Sequence, residues 1–98
     1  MSGAADAAIG TIKRTLAIAN KRGLHARAAA KFVRSAGQFD AAVRVSFKGQ
    51  DVSGLSIMGL MMLAAGIGSS IEHACSGRQA AEAMAALAAL VEGKFGED

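Results

Sequence analysis

Apolar residues along this chain switch between period two and helical spacing in a set order, and that order leaves few folds open. From Thr11 to Ala19, Ile12, Leu16 and Ile18 fall on one face and Thr15, Ala17 and Ala19 on the other. This predicts a first strand, although Arg14 falls on its apolar side. After the turn Asn20 to Gly23, Ala29, Phe32, Val33 and Ala36 follow the i, i+3, i+4, i+7 pattern of a helix over about Ala26 to Ala36, with Gly37 past its end. Val43, Val45 and Phe47 return to period two, and Lys48-Gly49-Gln50 leads through a hairpin-like connection to a short strand at Asp51 to Ser53, closed by Gly54.

A second helix is expected from Ser56 to Ala65, with Ser56 as N-cap and Ile57, Leu60 and Ala64 turned inward. Ser70 to Cys75 alternates again, carrying Ile71, His73 and Cys75 on one side. From Gln79 to about Val91, Ala80, Met84, Leu87, Ala88 and Val91 keep one helical face. Residues 1–10 read as a flexible N-terminal tail, 11–92 as one domain, and 93–98 as a polar tail that frays. The order βαββαβα predicts an α+β open-faced sandwich, a four-stranded antiparallel sheet with three helices on one face.

The chain has 98 residues, the size of one small domain. Its net charge of +3 is concentrated around Lys13, Arg14, Lys21, Arg22, Arg27, Lys31 and Arg34, the side of the chain that carries His25. Such a balance points to acidic partner surfaces or phosphate; a nucleic-acid groove calls for denser cationic clusters and stacking aromatics. Cys75 is the only cysteine, so no intramolecular disulfide forms and a reducing cytoplasm is expected. Met1 to Gly10 lacks the pattern of an export signal, and no stretch reaches the length of a membrane span without polar interruption.

The residues that carry chemistry are Gly23-Leu24-His25-Ala26-Arg27, a histidine and an arginine in a glycine-led turn at a helix N-terminus. The unpaired N–H groups of a first helical turn and the positive end of the helix dipole favour an anion there, and the Arg27 guanidinium adds a donor fork. This arrangement points to a phosphohistidine at His25 rather than a metal ligand, with no metal and no cofactor. Imidazole is nucleophilic when neutral, and its phosphoramidate is a good donor because the leaving nitrogen is easily protonated.

With that turn and with Ser56-Ile57-Met58-Gly59-Leu60-Met61 thirty residues on, the chain resembles the HPr family, the histidine-containing phosphocarriers of the bacterial phosphotransferase system. The first motif is similar to the family's active-site signature and the second to its regulatory-serine signature. The resemblance spans about Thr11 to Val91. It implies that enzyme I, charged from phosphoenolpyruvate, passes a phosphoryl group to Nδ1 of His25, which hands it to a IIA-type domain. Arg27 would steady the phosphoryl oxygens, and the backbone at Ala26, Arg27 and Ala28 would supply donors to a charge-spread transition state. Ser56 would be the site of a dedicated serine kinase. Docking of partners would use Arg22, Arg34, Ile57, Met58 and Met61.

The chain departs from the commonest family pattern at Ala28, where proline is usual, and at Leu55, where relatives often carry a polar or basic residue. Plainer accounts exist for several of these residues: Ser56 as an N-cap alone, His73 and Cys75 as core residues, and the basic side chains as solvated surface. Met58, Met61 and Met62 cannot all face inward on one short helix; the core is expected to take some, and those outside would form an adaptable apolar patch. An alternative function is an HPr-like regulator of nitrogen or stress signalling that acts through phosphorylation-dependent binding. An RNA-recognition module shares the βαββαβ order, but Phe47 is the only aromatic residue on a predicted strand. A monomer without nucleic-acid or membrane partners is expected.

Overall fold

A computed structural model describes residues 11–97. The tail expected at residues 1–10 lies outside the described residues. The elements run β1 (Thr11–Ala17), α1 (Ala26–Ala36), β2 (Ala42–Phe47), β3 (Gln50–Ser53), α2 (Ile57–Met62), β4 (Ser70–Ser76) and α3 (Ala80–Glu92). The strands form one antiparallel sheet in the order β1-β4-β2-β3. The α+β open-faced sandwich is therefore the observed fold.

Alternation decides which face is covered. In β4, Ile71, His73 and Cys75 are buried while Ser70 and Glu72 are exposed; in β2, Val43 and Val45 are buried while Ala42 and Arg44 are exposed. The buried face meets Ala28, Ala29, Phe32 and Ala36 of α1, Leu60 of α2, and Ala80, Ala83, Met84, Leu87, Ala88 and Val91 of α3. Alanine supplies many of these positions because small side chains let a helix axis sit close to the sheet. At the edge, β1 has only Leu16 fully buried; Arg14 is exposed and approaches Glu92 at 3.7 Å, which reconciles a charge with the apolar alternation.

Strand β1 stops at Ala17 rather than Ala19, yet Ile18 remains paired: its N–H donates to Ser69 O and its carbonyl accepts from Gly68 N–H, both at 2.8 Å. The β2–β3 turn consists of Lys48 and Gly49, both with positive φ, the hand that matches strand twist in a two-residue hairpin.

Helix α2 is a turn shorter than the sequence predicts. It ends at Met62 with Leu63 as C-cap, and the N–H groups of Leu63 and Ala64 reach back only three residues, to Leu60 O and Met61 O. Ala64 turns left-handed at φ 55. This places Leu63 and Ala65 in the core and leaves Ala64 and Ile57 exposed, against the expectation that Ile57 and Ala64 point inward. None of Met58, Met61 and Met62 is taken by the core: their exposures are 66%, 37% and 68%.

The C-terminal segment also differs from the expected fraying tail. Lys94–Gly96 forms a 3-10 turn in which Phe95 is fully buried, with φ 59 at Lys94 and 55 at Phe95. Lys31 Nζ donates to Phe95 O at 2.6 Å, fixing the turn to α1. Burying one large aromatic ring outweighs the local polarity that made residues 93–98 look unstructured. Among the described residues, no helix is long and apolar enough to cross a membrane.

Candidate functional site

The loop that carries His25 is held against the segment following α2. Gly23 has φ +64, and a Cβ there would lie 2.4 Å from Ala65 O, so only glycine fits. Leu24 is buried, and its N–H donates to that same Ala65 oxygen at 3.0 Å. The bond joins the His25 loop to the segment that follows α2, and α1 also packs on α2. His25 is then the N-cap of α1, with φ −73 and ψ 176 and no side-chain capping bond. The first N–H to reach a helical acceptor is that of Ala29, on His25 O at 2.9 Å. The N–H groups of Ala26, Arg27 and Ala28 precede it and have no intrahelical acceptor. No acidic residue occupies the first turn of α1 to compete with an incoming anion.

Among the described residues the imidazole is bound on one side only. His25 Nε2 lies 2.8 Å from Glu97 Oε2 and 3.1 Å from Oε1. Glu97 is in turn held by Asn20 Nδ2, which donates to Oε1 at 3.0 Å and to Gly23 O at 2.9 Å. The Asn20 amide, followed by the His25 ring, keeps the Glu97 carboxyl below the usual carboxylate range. An ionised carboxylate only accepts hydrogen bonds, so a neutral His25 ring facing it carries its proton on Nε2. The lone pair is consequently on Nδ1, which makes no hydrogen bond among the described residues and is not sealed from solvent. In its neutral form the ring therefore offers a nitrogen lone pair beside three N–H groups that have no helical acceptor.

Of the other residues predicted for the site, Arg27 is the second residue of α1, exposed, and without an ion pair among the described residues. Arg22 is exposed and its charge helps to hold Glu97 ionised. Arg34 lies in the last turn of α1, where its charge suits the helix dipole. Ser56 caps α2: its Oγ accepts from Gly59 N–H at 2.9 Å. Ile57, Met58 and Met61 are exposed beside it, with Leu55, Met62 and Ile67 extending the same apolar character along α2 and the loop that follows. His73 and Cys75 are core residues: both are fully buried, His73 against the Phe32 ring at 5.4 Å. Burial lowers the His73 pKa to about 4 and raises that of the Cys75 thiol.

The family model described as "PTS HPr component phosphorylation site" matches residues 12–93. The chain belongs to the HPr family. The phosphocarrier protein HPr of Cupriavidus necator is 50% identical over 86 residues, covering 88% of this chain and 97% of that one. A protein named phosphocarrier protein NPr, from Shewanella violacea, is 41% identical, with 88% and 94% covered. Among solved structures, HPr from Thermoanaerobacter tengcongensis superimposes with a TM-score of 0.85 at 40% identity, covering 89% of this chain and 98% of its own. The HPr-like sandwich is thus common to sequence, structure and relatives.

Sequence reasoning missed Asn20 and Glu97. Asn20 reads as a turn residue, and Glu97 lies 72 positions from His25 in a segment read as tail. The available signal was Phe95, a lone aromatic in an otherwise polar run, which is a reason to expect a buried anchor and an ordered neighbour.

Proposed function

We propose that this member of the HPr family is a phosphoryl carrier of the phosphotransferase system, accepting phosphate on Nδ1 of His25 from phospho-enzyme I and donating it to a IIA-type domain. The observation that carries the reading is His25 Nδ1 at the N-terminus of α1, without a hydrogen-bond partner among the described residues, with Nε2 already occupied by Glu97. In the transfer, the Nδ1 lone pair forms a new N–P bond as the donor's N–P bond breaks and its electron pair returns to the donor nitrogen. The N–H groups of Ala26, Arg27 and Ala28 and the Arg27 guanidinium offer donors to the three equatorial phosphoryl oxygens, whose charge is spread in a loose transition state.

Docking is assigned to the exposed Ile57, Met58 and Met61 together with Arg22 and Arg34. Unbranched methionine adapts to differently shaped partners, and the arginines steer acidic ones. Ser56 serves as the regulatory position. A phosphate on Oγ would stay next to the Gly59 N–H at the start of α2 while bringing about −1.5 to −2 charges to the apolar docking face. A reducing cytoplasm suits the single buried thiol of Cys75.

The test is intact mass after incubation with phosphoenolpyruvate and catalytic enzyme I, for the wild-type chain and for His25→Ala. One acid-labile phosphate on the wild type and none on the variant is the expected result. Failure of the wild type to accept phosphate from an enzyme I that charges another HPr would overturn the carrier reading in favour of a binding regulator.

A further inference from the structure

We propose that Glu97 is the positioning residue of His25: its carboxylate holds the imidazole in the Nε2–H tautomer and in one orientation, so that the Nδ1 lone pair faces outward for phosphoryl transfer. The proposal rests on the reading of His25 as the phosphoryl acceptor and adds a residue to it. Both carboxylate oxygens lie within hydrogen-bond distance of Nε2, at 2.8 and 3.1 Å, and the Glu97 side chain is itself only 21% exposed. A solvated ion pair between surface side chains would not be held in this way.

The hold is built from two directions. Asn20, fully buried, bridges Gly23 O and Glu97 Oε1, so the turn that shapes the His25 loop also fixes the carboxylate. From the other direction, the segment bearing Glu97 is anchored by buried Phe95 and by the Lys31 bond to Phe95 O. Asn20 Oδ1 is left without a partner among the described residues, and two left-handed residues, Lys94 and Phe95, lead into Glu97. Both features are unfavourable locally, and the arrangement that results directs a carboxylate at one ring nitrogen.

Its chemical consequence follows from charge. As Nδ1 bonds to phosphorus the ring acquires imidazolium character, Nε2 keeps its proton, and Glu97 remains an anion that offsets the positive charge next to it. On donation the N–P bond breaks with its electron pair returning to Nδ1, and the ring is again neutral with its proton on Nε2. Glu97 touches neither phosphate nor partner in this scheme; it acts through the ring.

The test uses the full chain with Glu97→Gln and Glu97→Ala. Nitrogen-15 spectra of His25 in the neutral form report the tautomer directly, and phosphoryl transfer from phospho-enzyme I reports kcat/KM. The expected result is a His25 spectrum moving from a single Nε2–H tautomer towards a mixture in Glu97→Ala, with transfer slower by about tenfold, and a smaller change in Glu97→Gln, which keeps an acceptor oxygen but not the charge. Unchanged spectra in both variants would overturn the proposal, even if transfer slowed, because the loss would then arise in docking. Unchanged transfer would overturn it as well. A wild-type chain that accepts no phosphate removes the carrier reading and this one with it, an outcome separate from a wild type that transfers normally and variants that match it.

Discussion

Replacing His73 with leucine is expected to flatten the acid limb of the stability profile by an amount that follows from where the imidazole sits. The ring is fully buried in β4 against Phe32, and burial, the largest influence on it, takes its pKa from 6.5 to about 4. In the unfolded chain the same group protonates near the ordinary value of about 6.5. Between those two values the unfolded state binds a proton that the native state refuses, so stability rises with pH across the window and is lost as pH falls. At about 1.36 kcal/mol per pKa unit, the loss from this one group is about 2 kcal/mol at pH 5 and about 3 kcal/mol at pH 4. For a domain of this size 1 kcal/mol corresponds to roughly 4–8 °C in Tm, so about 8–16 °C should separate pH 7.5 from pH 5 on account of His73 alone. Urea and thermal unfolding of both proteins at the two pH values measure the difference. Leucine does not titrate, and whatever its packing costs is the same at both pH values and cancels. A variant that loses as much stability on acidification as the wild type would refute the reasoning.

Three further substitutions probe other parts of the structure. Phe95→Ala should cost about 3–5 kcal/mol in urea unfolding, because the ring is fully buried; a cost under about 1 kcal/mol would mean that the C-terminal turn does not belong to the core. Gly23→Ala combines a positive φ with a Cβ placed 2.4 Å from Ala65 O, and should destabilise by about 2 kcal/mol or more in the same assay. Ser56→Ala removes the oxygen that accepts from Gly59 N–H and should cost about 1 kcal/mol by thermal unfolding, which separates the capping role of Ser56 from any regulatory one.

What the sequence disclosed and what it withheld have physical causes. Strands β2 and β4 and helix α1 were legible because one face of each is buried and the other is wet, so periodicity is strong. Helix α3 was legible from Ala80, Met84, Leu87 and Val91 for the same reason, despite apolar residues on its other sides. The end of α2 was not, because Ala64 and Ala65 are chemically alike while one turns left-handed and the other gives its carbonyl to Leu24. At the site, His25 and Arg27 stand in one short motif. Glu97 and Asn20 join His25 through a long-range fold of the chain that leaves no local pattern, and only the buried Phe95 hints at it.

The central claim is that phosphate enters at Nδ1 of His25 because Nε2 is held by Glu97. The most direct measurement is a phosphorus–nitrogen correlation spectrum of the chain labelled with nitrogen-15 histidine, after phosphorylation by enzyme I and phosphoenolpyruvate. A single phosphorus signal coupled to Nδ1 of His25, with the proton of the ring on Nε2, is the predicted result. Phosphorus coupled to Nε2, or carried by Ser56 in place of His25, would contradict it.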